Sequence, residues 1–111
     1  MEFEVSTIRE GGVCIVSVSG EVDVYTSPTL KTALVEARKD CAGLVVVDLG
    51  VVGFIDSSGL GVLVGALRRA REAGGDLRIV STRPSVEKIL TLTGLDRVFP
   101  LYGTVDQALG A

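Results

Sequence analysis

A chain of 111 residues, 47% of them hydrophobic, has room for one domain that buries roughly two-thirds of its unfolded surface. Eleven basic and fourteen acidic residues leave a net charge of −3 with no basic block to follow a phosphate backbone, so nucleic acid is not an expected partner. Histidine is absent, which removes Ser-His-Asp and Cys-His catalysis, histidine metal ligation and a phosphohistidine relay; no enzyme activity, metal or cofactor is expected.

The opening stretch MEFEVSTIRE is acidic and alternating, unlike a secretory leader. The longest apolar stretch, 44–67, is interrupted by Asp48, Asp56 and several glycines, so no membrane span is expected and the chain reads as cytoplasmic. Cys14 and Cys41 each lie in an apolar pattern without metal-ligand or CxxC spacing, and are expected to be free buried thiols in a reducing compartment.

Phe3, Val5 and Thr7 alternate with Glu4 and Ser6, which predicts a strand with one wet face. Gly11-Gly12 turns the chain into a second strand, Val13 to Ser19, completing an antiparallel hairpin. Ser27 as N-cap and Pro28 at the first helical position precede Leu30, Ala33, Leu34 and Ala37, a helical spacing that predicts a helix over 27–40. The unbroken run Leu44 to Val47 suits an interior parallel strand, ending at Asp48 and followed by a loop. A second helix is expected from Ser57–Ser58 to Ala73, with Arg68, Arg69 and Arg71 near its negative end and Gly74-Gly75 stopping it. Leu77 to Val80 reads as a strand, and Pro84 opens a third helix that Gly94 stops. Val98 to Tyr102 is expected as a last strand, and Thr104-x-x-Gln107 as the capping box of a terminal helix. The order ββαβαβαβα implies a single α/β domain, with a mixed, mostly parallel sheet of four or five strands and about four helices.

The strongest candidate for chemistry lies where the third strand passes into the helix at Asp56-Ser57-Ser58-Gly59. A hydroxyl at a helix start is exposed, and free N–H groups and the positive dipole end there tolerate added phosphate. The same residue types also serve as an ordinary helix start, and the local string alone favours that reading. Gly59, Gly61 and Gly65 make a poor dinucleotide fingerprint, being inside the helix and wrongly spaced; close approach to the sheet or to a partner is the expected reason for them. Asp48 as a response-regulator-type phospho-acceptor lacks its supporting set. Arg9-Glu10-Gly11 stands where an acidic pair is needed, and no lysine follows Lys88; Asp48 reads instead as a strand-end residue capping the next loop. The remaining acidic cluster, Gly20-Glu21-Val22-Asp23, reads as a solvated turn unless the fold brings it beside Ser57.

Taken together, Gly20-Glu21-Val22-Asp23 with Thr26 and Leu30, Val46-Val47-Asp48-Leu49, Phe54 to Gly61 and Thr93-Gly94-Leu95 resemble the STAS domains, in particular the bacterial anti-sigma factor antagonists. The resemblance runs from about residue 3 to 109, as one STAS domain over 1–111. It implies a regulatory switch in which Ser57 is phosphorylated by an anti-sigma factor that is itself a serine/threonine kinase. Unphosphorylated antagonist binds that factor and frees the sigma factor, and a PP2C-type phosphatase restores the unmodified form. Gly20, Glu21, Asp23, Asp56, Ser58 and Gly59 would then form the partner-binding surface of a monomer or weak dimer, with Tyr25 and Pro28 tuning which kinase is accepted. Two other functions fit the same fold: a non-switching scaffold or accessory subunit of a transport system, and a sensor of a nucleotide or other small molecule that uses the same loop.

Overall fold

The computed structural model describes residues 2–111. Its elements are β1 (Glu4–Glu10), β2 (Val13–Val22), α1 (Ser27–Asp40), β3 (Leu44–Ile55), α2 (Ser57–Glu72), β4 (Asp76–Val80), α3 (Pro84–Leu92), a 3-10 turn (Leu95–Arg97), β5 (Leu101–Tyr102) and α4 (Val105–Gly110). The expected order ββαβαβαβα is therefore present. The five strands stand in sequence order across one sheet, β1 antiparallel to β2 and each later pair parallel. Gly11 and Gly12 take φ of +56° and +84°, a backbone that glycine adopts freely, and so close the hairpin in two residues.

Period-two alternation divides the interior. Cys14, Val16, Val18, Val45, Val47, Leu77 and Ile79 face one side, where Leu30 and Leu34 of α1, Leu63 and Leu67 of α2, and Val86 and Leu90 of α3 cover them. Three crossovers of one hand stepping the same way across a sheet put their helices on the same face. Val46 and Val80 face the other side, where Ala108 of α4 packs on them with Ile15, Leu44, Tyr102 and Val105 at the margin. Each large apolar side chain so buried contributes about 1.5–3 kcal/mol relative to exposure.

Several expectations need correction. β3 does not end at Asp48 but runs on to Ile55, and no loop separates that aspartate from the site. Pairing with β2 slips twice, between Ser17 and Ser19 and between Gly20 and Glu21, each time leaving an extra residue on β3. The inward positions accordingly shift from Val45, Val47 and Leu49 to Val52 and Ile55, a step of three that alternation cannot register. Asp48 caps not a loop but this bulge: its Oδ1 accepts the Gly50 N–H at 2.9 Å. The bulge carbonyls are satisfied from the start of α3, where Arg83, its N-cap, donates through Nε to Gly50 O at 3.2 Å and Ser85 Oγ donates to Gly53 O at 2.8 Å.

β2 likewise continues through Gly20, Glu21 and Val22, so that the acidic turn begins only at Asp23. Ser27 is not the N-cap of α1. That place belongs to Thr26, whose hydroxyl is engaged with the preceding turn, while Ser27 is buried as the first helical residue with its N–H on Asp23 O at 2.8 Å. The last strand is shorter than expected, because a 3-10 turn over 95–97 follows Gly94 and the N–H groups of Val98 and Phe99 donate back to Leu95 O at 3.0 and 2.9 Å instead of joining the sheet. The capping box of α4 is offset: Thr104 Oγ1 accepts from Gln107 N at 3.1 Å, but Gln107 Oε1 reaches back to Gly103 N at 3.0 Å.

The last correction concerns the cysteines. They are not free thiols; Cys14 and Cys41 are joined as a disulfide with Cα atoms 5.7 Å apart. Cys14 points from β2 toward the face that α1 covers, and Cys41 is the C-cap where α1 ends against it. The bond closes the β2–α1 crossover, a loop constraint worth roughly 3–4 kcal/mol against the unfolded chain. The reducing-compartment reading rested on free thiols and loses that support. Among the described residues, no helix is long and apolar enough to cross a membrane.

Candidate functional site

Two chain crossings meet at the carboxyl ends of β2 and β3, where Val22 pairs with Ile55 and the Asp56 N–H donates to Val22 O at 3.1 Å. The β2–α1 turn and the start of α2 are therefore adjacent. The structure brings Asp23, Asp56, Ser57 and Ser58 to one end of the sheet, which the sequence by itself does not reveal.

Asp56 is the N-cap of α2 in extended backbone. Its Oδ1 accepts the N–H groups of Ser58 at 2.9 Å and Gly59 at 3.2 Å, and the Ser58 hydroxyl as well. The two serines thus part company. Ser58 is half-buried and committed to the cap, whereas Ser57, the first helical residue, is exposed. A phosphoryl group on Ser57 would sit at the helix N-terminus, beside N–H groups and the positive dipole end. The Ser58 hydroxyl bond, opposed by partial desolvation and reinforced by the Gly59 and Ser58 amides, holds the Asp56 carboxyl below its usual range.

That shift fixes a sign. A carboxyl with a lowered folded-state pKa stabilises the fold above the unfolded pKa, near 3.8, and the contribution is lost as pH falls through the lower folded value. The parent protein is expected to lose urea resistance between about pH 5 and pH 2 more steeply than Asp56→Asn, which caps the helix without titrating. Parallel curves for the two proteins would show that the cap carboxylate does not contribute.

Asp23 opens the β2–α1 turn. Its Oδ1 accepts from Tyr25 N at 2.9 Å, Thr26 N at 3.0 Å and Thr26 Oγ1 at 3.2 Å. Thr26 Oγ1 in turn accepts the Asp23 N–H at 2.9 Å and lies 2.8 Å from Glu21 O, to which it can donate. This knot holds up Val24 and Tyr25, which are 62% and 88% exposed; they and Phe54, 47% exposed near the end of β3, are apolar surface at this end of the sheet that the sequence reading largely missed. A valine-tyrosine pair in an acidic turn was the available signal, since a three-residue bonded turn leaves its middle side chains outside. Phe54 gave none, because a phenylalanine at the end of an apolar run reads as core, whereas here it is 47% exposed.

Glu21 is exposed on β2 and shares this end of the sheet. The glycines have a different part. Gly20 is buried with φ of +96°, and a Cβ there would stand 3.0 Å from Glu2 O and Phe3 Cα, so glycine lets the N-terminal segment close over β2. A Cβ on Gly59 would stand 2.5 Å from Val22 Cγ1 and 2.7 Å from Ile55 Cγ1, so its absence seats α2 on the strand ends. Gly61 breaks the expectation of close approach to the sheet: a Cβ there would meet nothing within 4 Å. Among the described residues, no group of three or more acidic or cysteine side chains is placed to hold a metal.

These features define a one-sheet α/β domain whose strand ends present an exposed serine at the start of a helix. The chain belongs to the STAS domain family, whose model matches residues 4–108. It is 33% identical over 111 residues to the anti-sigma F factor antagonist of Paenibacillus polymyxa, covering 98% of this chain and 94% of that protein. It is 35% identical over 95 residues to the anti-sigma-B factor antagonist of Staphylococcus epidermidis, covering 86% and 88%. The crystal structure of an anti-sigma factor antagonist from Mycobacterium paratuberculosis superposes with a TM-score of 0.89 at 35% identity, over 98% of this chain and 92% of that one.

Proposed function

We propose that this protein is an anti-sigma factor antagonist that works in the cytoplasm as a phosphorylation-controlled binding partner and not as an enzyme. The names of its relatives support the class. The observation that carries the mechanism is the division of labour at Asp56-Ser57-Ser58: one hydroxyl is tied into the helix cap and the other is left exposed. The unmodified chain binds an anti-sigma factor through Asp23, Glu21, Asp56 and Ser58, backed by Gly20 and Gly59, and the sigma factor is released. The anti-sigma factor, a serine/threonine kinase, transfers the γ-phosphoryl group of ATP to Ser57 Oγ; the hydroxyl loses its proton and ADP leaves. A PP2C-type phosphatase hydrolyses the ester and restores binding.

A phosphoserine carries about −1.5 to −2 charges at neutral pH, and on Ser57 it stands beside Asp56 and near Asp23. A helix N-terminus accommodates that charge, so the change acts on the bound surface and leaves the fold in place. The experiment is reconstitution with the kinase that co-purifies with the unmodified chain. ATP should place one phosphate on the parent and none on Ser57→Ala, while both bind the kinase. Phosphate on Ser57→Ala, or equal affinity of the modified and unmodified parent, contradicts the reading.

A further inference from the structure

We propose that the groove between α1 and α2 is a second docking strip, which takes an acidic segment of the protein bound at the strand ends; that choice of occupant rests on the function proposed above. Lys31 of α1 and Ser58, Gly61, Gly65, Arg68 and Arg69 of α2 line this groove of about 290 Å³. The α2 positions recur in steps of three and four, which keeps them on one helix face. From Ser58 to Arg68 the helix rises about 15 Å, enough for about four or five extended residues. The strip starts at the residue next to Ser57, so it continues the proposed partner surface.

Charge identifies the occupant. In a chain of net charge −3, Lys31, Arg68 and Arg69 gather in one groove that no carboxylate lines. The ion pairs among the described residues use Arg9, Lys39, Arg71 and Arg78, and none of these three. Arg69 Nε is buried and has no hydrogen-bond acceptor among the described residues. That Nε–H is enclosed and is not itself reached from the groove; together with the missing ion pair it leaves the charge that Arg69 brings to the groove uncompensated among the described residues. The Arg69 guanidinium lies over Gly65, where a Cβ would be 3.2 Å from it.

The groove floor points the same way. A glycine inside a helix is disfavoured relative to alanine, yet among the described residues nothing beyond the helix's own backbone crowds position 61. An open floor beside three cations fits a polypeptide lying along it. A free phosphate is a poorer match, because backbone N–H groups inside a helix are already spent on helical bonds and the cations are spread over two helices.

The test is a titration of the full chain with fluorescein-labelled decaglutamate, read by fluorescence anisotropy and by amide NMR shifts. Saturable binding is expected, with shifts concentrated at Lys31, Gly61, Gly65, Arg68 and Arg69, and no such response to decalysine. The double variant Lys31→Glu/Arg68→Glu changes two exposed side chains and so should stay folded by circular dichroism, and it should weaken binding at least about tenfold. Scattered shifts, unchanged affinity of the folded double variant, or displacement of the peptide by millimolar inorganic phosphate at constant ionic strength would overturn the proposal. Ser57→Ala should bind the peptide as the parent does. Failure of the peptide with Ser57 switching intact removes only the strip, and a bare Ser57 with the peptide bound removes only the switch.

Discussion

Phosphate on Ser57 is expected to weaken binding to the anti-sigma partner about 30–150-fold, equivalent to about 2–3 kcal/mol, with helical content unchanged. The magnitude follows from where the charge lands. Ser57 is exposed at the first position of α2, next to the cap carboxylate of Asp56, and Asp23 stands on the neighbouring strand end. Any partner surface that accepts these carboxylates must then desolvate a third anionic group. Within the chain, by contrast, the helix start offers that group N–H donors and a favourable dipole, so modification neither melts α2 nor releases it. Calorimetric titration of the two purified forms checks the affinity, and far-UV circular dichroism checks the helix. If affinity fell only together with helical signal, the switch would be a refolding and the surface argument would be wrong.

The second large effect separates two glycines of one helix turn. Gly59→Val is expected to destabilise the protein by about 2–4 kcal/mol, and Gly61→Ala to stabilise it by up to about 1 kcal/mol. Both replacements gain helix propensity, which for valine amounts to only a few tenths of a kcal/mol over glycine. At position 59 that gain is overwhelmed. The first added carbon already stands 2.5 Å from Val22 Cγ1 and 2.7 Å from Ile55 Cγ1, on side chains that are 0% and 3% exposed and have no room to retreat. At position 61 nothing opposes the gain, because among the described residues no atom beyond the helix's own backbone would lie within 4 Å of the added carbon. Urea unfolding of both variants measures the two signs. Gly59→Val should also weaken partner binding, since α2 must lift from the strand ends and carry Ser57 with it. Equal stability of the two variants would mean that α2 is not seated where Gly59 places it.

The sequence conveyed the architecture through its periodicities, and it lost detail where the periodicity changed. Helix α1 was legible from apolar steps of three and four, α2 and α3 from their start and stop residues, and the interior of β3 from four consecutive apolar residues. The second half of β3 was not, because two bulges after Asp48 stretch the inward spacing from two to three, from Leu49 to Val52 and Ile55. The site serines were visible from the Asp56-Ser57-Ser58-Gly59 string. Which serine stays exposed was decided by the Asp56 cap, a matter of three-dimensional hydrogen bonding. The nearness of Asp23 to that cap depends on the parallel pairing of Val22 with Ile55, a contact between distant parts of the chain. The disulfide was hidden for the same reason: 27 residues separate Cys14 from Cys41, and only the return of α1 along the sheet brings them together.

The most direct test of the switch is site-resolved phosphopeptide mass spectrometry on the protein purified from its native cells, growing and stressed, with Ser57→Ala as control. The expected result is phosphate on Ser57 whose occupancy differs between the two conditions, with the kinase co-purifying preferentially with the unmodified form. A Ser57 that stays bare in every condition while the protein still engages its partner would contradict the account.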